Sequence, residues 1–279
     1  MNELNFAFFG TPEVASRTLD ILAESGYIPK IIITSPDARS GRGMHLSPTP
    51  ISIWAKEHNI PCLKPVKIDL VFLEEFKKLN IELSIVVAYG KILPEALIKE
   101  PRLGTINIHY SLLPLYRGAS PLEQALLSGD TVTGVTVQQM EFKLDSGAII
   151  AKEEINIDIN ETKDILRENL INLGGKLLCE VLPDIISESI KTKPQNENIA
   201  TYCTKIKKED GQIDPSRDAI ENYSKYRAFF GWPGVFFFKN NKRIKIIKAK
   251  YENNSFIIER VIPEGKKEIS YDEFLKSNT

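Results

Sequence analysis

Cysteine and histidine are scarce in this chain, with three of each among 279 residues. The cysteines (Cys62, Cys179, Cys203) are odd in number and far apart, which argues against a disulfide framework. The histidines (His45, His58, His109) are equally scattered, and no CxxC or HxxxH spacing occurs, so no metal site is expected. No apolar run approaches the ~18 residues that a membrane span needs. The start, Met1 to Gly10, has no basic stretch ahead of its short apolar run, so no secretory signal is expected and the chain reads as reduced and cytoplasmic. A phosphate-cradling loop is missing too. Gly10-Thr11-Pro12 follows the first apolar run, where G-x-G-x-x-G would stand, but lacks the second and third glycines. It reads as a tight strand-to-helix turn.

Excess charge of one sign is also absent: 36 basic against 37 acidic side chains give a net −1. The balance hides an asymmetry. From Thr201 onward there are 16 basic and 11 acidic residues, whereas the first 200 carry 20 and 26. Opposite signs in the two parts suggest different partners. What is plentiful is apolar sequence, 42% of the chain, enough for a sizeable core.

Short apolar runs alternate with helical periodicity over the first two thirds. Asn5 to Phe9, Ile31 to Ile33, Ser84 to Ala88 and Thr105 to His109 read as strands, and Glu13 to Ser25 as a helix. Continuous apolar strands separated by helices predict a parallel sheet covered on both faces. Gly134 to Met140 and Ala148 to Ile157 are strand-like around a loop at Glu141 to Gly147, and Glu161 to Ser189 is a long helical stretch. Lys191 to Ala200 is polar and reads as linker. Beyond it, Asp218 to Phe229 is helical, while Val235 to Phe238, Arg243 to Lys250 and Ser255 to Val261 are strand-like. The predicted organisation is a catalytic α/β domain over 1–190, a linker over 191–205 and a small β-rich domain over 206–279.

Ile106-Asn107-Ile108-His109 is the informative strand. Alternation puts Asn107 and His109 on one face, roughly 6.6 Å apart along the chain. Both polar tips can reach one small group at the strand's carboxyl end, where open α/β sheets place their ligand crevice. The loop that follows, Ser111 to Pro121, is stiffened by Pro114 and Pro121. Leu144-Asp145-Ser146-Gly147 is an ordinary turn composition. Brought close to His109, however, the Asp145 carboxylate raises the imidazole pKa and orients the ring.

The run Asn107 to Pro114, the segment Arg117-Gly-Ala-Ser-Pro121 and Leu144-Asp-Ser-Gly147 together resemble the 10-formyltetrahydrofolate-dependent formyltransferases. The resemblance extends almost end to end. It includes Phe8 to Pro12; Ser35-Pro-Asp37 with Gly41-Arg-Gly43 and Pro48-Thr-Pro50; Val86 to Pro94; Gly211 to Asp214; Arg227-Ala-Phe229 with Trp232-Pro-Gly234; and Gly265-Lys-Lys267. It implies a Rossmann-like, mostly parallel sheet followed by an abbreviated OB-like barrel. It also implies Asn107, His109 and Asp145 as the catalytic set. The folate co-substrate, 10-formyltetrahydrofolate, is then expected against Tyr89, Gly90 and Ile92 and the loop Ser111, Leu112, Leu113 and Pro114. Tyr110 stands where the family carries a small residue or proline, which narrows the crevice. Asn107 and a protonated His109 are expected to hold the formyl oxygen, with Asp145 keeping the ring charged. No activated Ser or Cys is visible, so transfer is expected to be direct.

The same resemblance implies that initiator methionyl-tRNA is the acceptor and that the protein acts as a monomer. The loop Asp37 to Pro50, with Arg39 and Arg42, resembles an insert that enters the tRNA acceptor stem. Lys239 to Lys250 holds six basic and no acidic residues, including Lys242, Arg243, Lys245 and Lys248. Its apolar phase flips at Ile247, which predicts a β-bulge. The stripe fits a phosphate-tracking face as well as a solvated strand. Two other acceptors fit the same site: the amine of a sugar nucleotide, and water in a formyltetrahydrofolate hydrolase. The basic loop and stripe favour tRNA over both. A non-catalytic RNA-binding module would not need the Asn-His-Asp set.

Overall fold

The computed structural model describes residues 4–40 and 45–276. The elements run β1 (Phe6–Gly10), α1 (Glu13–Glu24), β2 (Ile31–Ile33), β3 (Ala38–Ser40), β4 (His45–Ser47), α2 (Pro50–Glu57), β5 (Cys62–Leu63) and α3 (Leu70–Lys77). Next come β6 (Leu83–Val87), α4 (Glu95–Ile98), β7 (Thr105–His109), β8 (Arg117–Gly118), α5 (Pro121–Ser128), β9 (Val132–Gln139), β10 (Ile149–Asn156) and α6 (Lys163–Ile186). The tail adds β11 (Tyr202–Cys203), α7 (Ala219–Ala228), β12 (Phe236–Lys239), β13 (Lys242–Glu252), β14 (Ser255–Pro263), β15 (Ile269–Ser270) and α8 (Tyr271–Lys276).

Seven strands form one sheet in the order β10-β9-β7-β6-β1-β2-β5. From β5 to β7 each pair is parallel, and β9 runs antiparallel to β7. β1 and β6 are buried along their whole length, which is why they read as unbroken apolar runs. One face of the sheet carries Ala7, Phe9, Ile33 and Val86 against Phe72 and Phe76 of α3. On α6, Gly175 is needed for close approach, because a Cβ there would sit 2.5 Å from Ile21 Cδ1.

The order of the strands reverses at β1, which has β2 on one side and β6 on the other. Carboxyl ends at such a reversal open onto a crevice. The turn after β1 is fixed there: Thr11 Oγ1 donates to the Tyr89 carbonyl at 3.0 Å and lies within hydrogen-bond distance of Ser35 Oγ, at 3.2 Å. Gly10-Thr11-Pro12 is therefore the tight turn its composition predicts, with α1 starting at Glu13.

The chain divides into two compact units. The first takes residues 1–117, 134–154 and 170–200; the second takes 118–133, 155–169 and 201–279. By this division the chain passes between the units several times, with residues 170–200 in the first and 201–279 in the second. In the second unit, four strands form an open antiparallel sheet, β12-β13-β14-β15. Asn240-Asn241 and Asn253-Asn254 all have positive φ, between 50° and 60°, and make the two tight hairpin turns. The pairing of β13 with β14 shifts register between Ile246 and Lys248, the bulge that the phase flip predicts. Inside this unit Tyr223, Tyr226 and Phe256 cluster, with ring centroids 6.0 to 6.4 Å apart.

Candidate active site

β7 delivers Asn107 and His109 in phase. Asn107 lies opposite Gln138 of β9 and His109 opposite Thr136. His109 is buried at 5% exposure. Its Nε2 lies 2.8 Å from the Tyr116 carbonyl oxygen, and its Nδ1 lies 3.8 Å from Asp145 Oδ2. A carbonyl only accepts, so Nε2 carries the hydrogen, and in the neutral ring Nδ1 faces the carboxylate bare. Among the described residues no partner engages the Asn107 amide, which leaves its donors for a ligand.

Burial pushes the His109 pKa below its ordinary value; Asp145 and the Tyr116 carbonyl pull it upward but do not prevail. This reverses the expectation that Asp145 keeps the ring charged. Asp145 is close enough to attract an imidazolium, but the ring has lost the water that would solvate the charge. Burial thus favours the neutral imidazole in the resting site.

The loop after β7 is rigid because its polar groups are satisfied internally. Ser111 Oγ donates to Leu115 O at 2.5 Å, Leu113 N donates to Thr136 Oγ1 at 3.0 Å, and Thr136 Oγ1 donates to Ser111 O at 2.7 Å. Leu113 and Pro114 are buried and Leu112 is half-buried. Tyr110 points to the other face: its ring lies 3.6 Å from where a Cβ on Gly174 would sit, beside Ile108. It therefore does not narrow the crevice.

The segment after β6 offers backbone rather than side chains. The Tyr89 ring is buried in the core, edge-on to Phe9 at 5.5 Å. Burial pushes its phenol up to about 12. Ala88 and Gly90 have φ of 47° and 79°, and Ile92 is 82% exposed. Turned-out backbone beside an exposed apolar side chain fits the flat face of a heterocycle.

Asp145 has φ of 46°, a left-handed conformation held by its surroundings. Gly147 is obligatory in that turn, because a Cβ there would lie 1.7 Å from Gln139 O. Gln195, from the stretch that reads as linker, reaches the same turn. Its Nε2 donates to Asp145 O at 2.9 Å and Gly147 O at 2.7 Å. No pattern in the sequence singles out this residue.

The basic residues divide into different environments. Arg39 lies on β3, while Arg42 lies outside the described residues. Lys242 is exposed and Lys245 half-buried on β13. Arg243 lies over the Phe236 ring, 3.8 Å from its centroid, and Lys248 pairs with Glu259 at 2.8 Å. The stripe is thus partly committed to its own sheet.

Residues 4–182 match the family model described as formyl transferase, and residues 205–257 match the formyl transferase C-terminal domain. A methionyl-tRNA formyltransferase of Citrifermentans bemidjiense is 38% identical over 256 residues, covering 91% of this chain and 80% of its own. The chain belongs to the methionyl-tRNA formyltransferase family. Among solved structures, the methionyl-tRNA formyltransferase from Clostridium thermocellum aligns with a TM-score of 0.63 at 17% identity, covering 96% of this chain and 99% of its own. An N-formyltransferase from Helicobacter canadensis, in complex with folinic acid and dTDP-3-aminofucose, aligns at 0.67 and 19% identity, covering 89% of each chain. Both show the shared fold. The family's N-terminal match contains Asn107, His109 and Asp145, and its C-terminal match contains β13.

Proposed function

We propose that this chain transfers the formyl group of 10-formyltetrahydrofolate to the free α-amino group of methionine on initiator methionyl-tRNA, acting in the cytoplasm as a monomer. The observation that carries the reading is the approach of Asp145 to His109 at the carboxyl end of β7, Nδ1 lying 3.8 Å from the carboxylate, with Asn107 in phase with His109 on the same strand.

Formyl transfer to an amine needs a donor for the developing oxyanion and a base for the departing proton. The Asn107 amide supplies the donor, a role worth ~10²–10³ in rate at other acyl-transfer sites. Neutral His109 takes the amine's proton at Nδ1, and Asp145 stabilises the imidazolium so formed. The new bond joins the formyl carbon to the amine nitrogen as the bond to the folate nitrogen breaks. His109 then returns the proton to that folate nitrogen. No side-chain formyl ester is required. The folate lies against Tyr89 to Ile92 and the Ser111–Pro114 loop, through their backbone and apolar surface. Arg39 and Arg42 approach the acceptor stem, and Lys242, Arg243, Lys245 and Lys248 lie along phosphates.

Identity of 38% to a relative named for the tRNA reaction favours tRNA over an amino-sugar nucleotide. The fold does not choose between them, since the Helicobacter canadensis structure shares it. The test offers a formyl donor together with charged initiator tRNA, free methionine, an amino-sugar nucleotide or water alone. Formylation of the tRNA is expected; preferred formylation of the sugar, or hydrolysis without an acceptor, overturns the reading.

A further inference from the structure

We propose that Gln195 is a positioning residue for Asp145, the central joint of a one-way chain of hydrogen bonds that starts at the buried Arg117. This rests on the reading of Asp145 as part of the formyl-transfer site.

The direction of the chain follows from the chemistry at its two ends. The Arg117 guanidinium is fully buried and can only donate. Its Nε and Nη2 lie 3.1 and 2.8 Å from Gln195 Oε1. The amide oxygen of Gln195 must therefore face Arg117, and its NH₂ must face the other way. There it meets three acceptors: Gly147 O at 2.7 Å, Asp145 O at 2.9 Å and Gln138 Oε1 at 3.3 Å. Because the oxygen of Gln138 faces Gln195, the NH₂ of Gln138 faces Asp145, at 3.3 Å from Oδ1. The other carboxylate oxygen, Oδ2, is the one that looks at His109. Rotating the Gln195 amide would set its oxygen against the turn carbonyls and its nitrogen against the Arg117 guanidinium, and rotating the Gln138 amide would set its oxygen against Asp145 Oδ1 and its nitrogen against the Gln195 NH₂.

Arg117 is anchored in turn by Glu197, at 2.6 Å from Nη2. Lys143 also reaches that carboxylate, at 2.7 Å. Arg117 and then Lys143 hold the Glu197 carboxyl down to about 2. Arg117, Lys143 and Glu197 are thus charged groups beside the turn that carries Asp145. Gln195 itself touches the Arg117 guanidinium, the Gln138 amide and the carbonyls of the turn, not the His109 ring or the Asp145 carboxylate. Its effect on the reaction must pass through the orientation of Asp145, whose strained φ the two carbonyl contacts hold.

The test uses Gln195→Glu, which keeps an oxygen for Arg117 and turns the donor face into an acceptor, and Gln195→Met, which keeps the volume and removes both. Two readouts are taken. Steady-state kinetics should show kcat reduced by ~10–100-fold with KM for both substrates little changed, the loss typical of a small misplacement at a reacting centre. The same substitutions in an Asp145→Asn background should have no further effect, since residues acting as a unit are not additive. Independently of any turnover, the imidazole resonance of His109 should titrate at a lower pH in Gln195→Met than in the wild type, because a displaced carboxylate supports the imidazolium less; Gln195→Glu is judged by the kinetics, since its own negative charge pushes the imidazole the other way. With only three histidines the assignment is simple. If a folded variant keeps the wild-type kcat and His109 midpoint, or if the Asp145 and Gln195 effects add, Gln195 is only a structural tie. If the wild type formylates no acceptor, the proposed function fails, but the histidine titration still decides the role of Gln195.

Discussion

The end of β7 and the strand β13 each gather polar side chains, and they use them in opposite ways. At β7 the groups are buried and their hydrogen bonds have fixed direction. His109, Gln138 and Arg117 are at most 5% exposed. On β13 the charges are exposed or half-exposed and pair loosely with neighbours, such as Lys248 with Glu259 across β14. Buried polar groups need partners, because an unmet one costs its full desolvation, so they specify geometry. Surface pairs are screened and nearly interchangeable, so they supply a field rather than a fit. One region fixes single atoms in place; the other leaves its charges loosely held.

The largest effects are expected at the buried end. His109→Ala, Asp145→Ala and Asn107→Ala should each lower kcat by at least ~10²-fold while the far-UV circular dichroism stays native. A folded His109→Ala enzyme with near wild-type turnover would remove the β7 site from the mechanism.

Acid should reveal burial at His109 as well. Its pKa is lowered in the folded chain. As pH falls below ~6.5 the unfolded chain takes up that proton first, so the unfolded state binds more protons and stability declines. The decline ends once the folded histidine is also protonated. The contribution is thus fully present above ~6.5 and lost as pH falls through the folded value. Urea midpoints measured from pH 7.5 to 5 should drop less steeply for His109→Gln than for the wild type. Turnover should fall on the acid side too, because the charged ring cannot accept a proton at Nδ1.

On β13 the expected effects are smaller and concern salt. Arg243 covers Phe236, a cation–π contact worth ~0.5–2 kcal/mol, so replacing it mixes packing with charge. Lys242 and Lys245 are better probes. Changing both to Ala should flatten the log–log salt dependence of tRNA binding by up to ~2 units, from a slope of about −0.7 to −0.9 per phosphate contact. An unchanged slope would make the stripe a solvated strand face.

Least affected should be Lys248→Ala, which removes one exposed pair. Its melting temperature should be indistinguishable from wild type. A clear drop would show that β13 depends on its charges as β7 does.

Much of the fold was readable from local pattern. The β1, β6 and β7 strands stood out as apolar runs, and the bulge at Ile247 as a break in alternation. The Asn-Asn pairs at 240–241 and 253–254 also mark hairpins and could have been read as such. Gln195 was not readable. It sits in a polar stretch with an ordinary linker composition, and its partner Asp145 is 50 residues away. Helix α7 buries Asn222, Ser224 and Arg227, so its hydropathy carries little sign of which side faces inward.

The sequence by itself determined what depends on neighbours along the chain: which residues share a strand face, where a turn must fall, and that Asn107 and His109 point together. These follow from backbone geometry, which repeats every two residues in a strand. The tertiary structure alone decided the charge of His109 and the direction of the Arg117–Gln195–Gln138–Asp145 chain. Protonation depends on how much water the fold removes from the ring, and the hydrogen-bond direction depends on which donor the fold places at its far end. Neither is a property of the chain near the residue concerned.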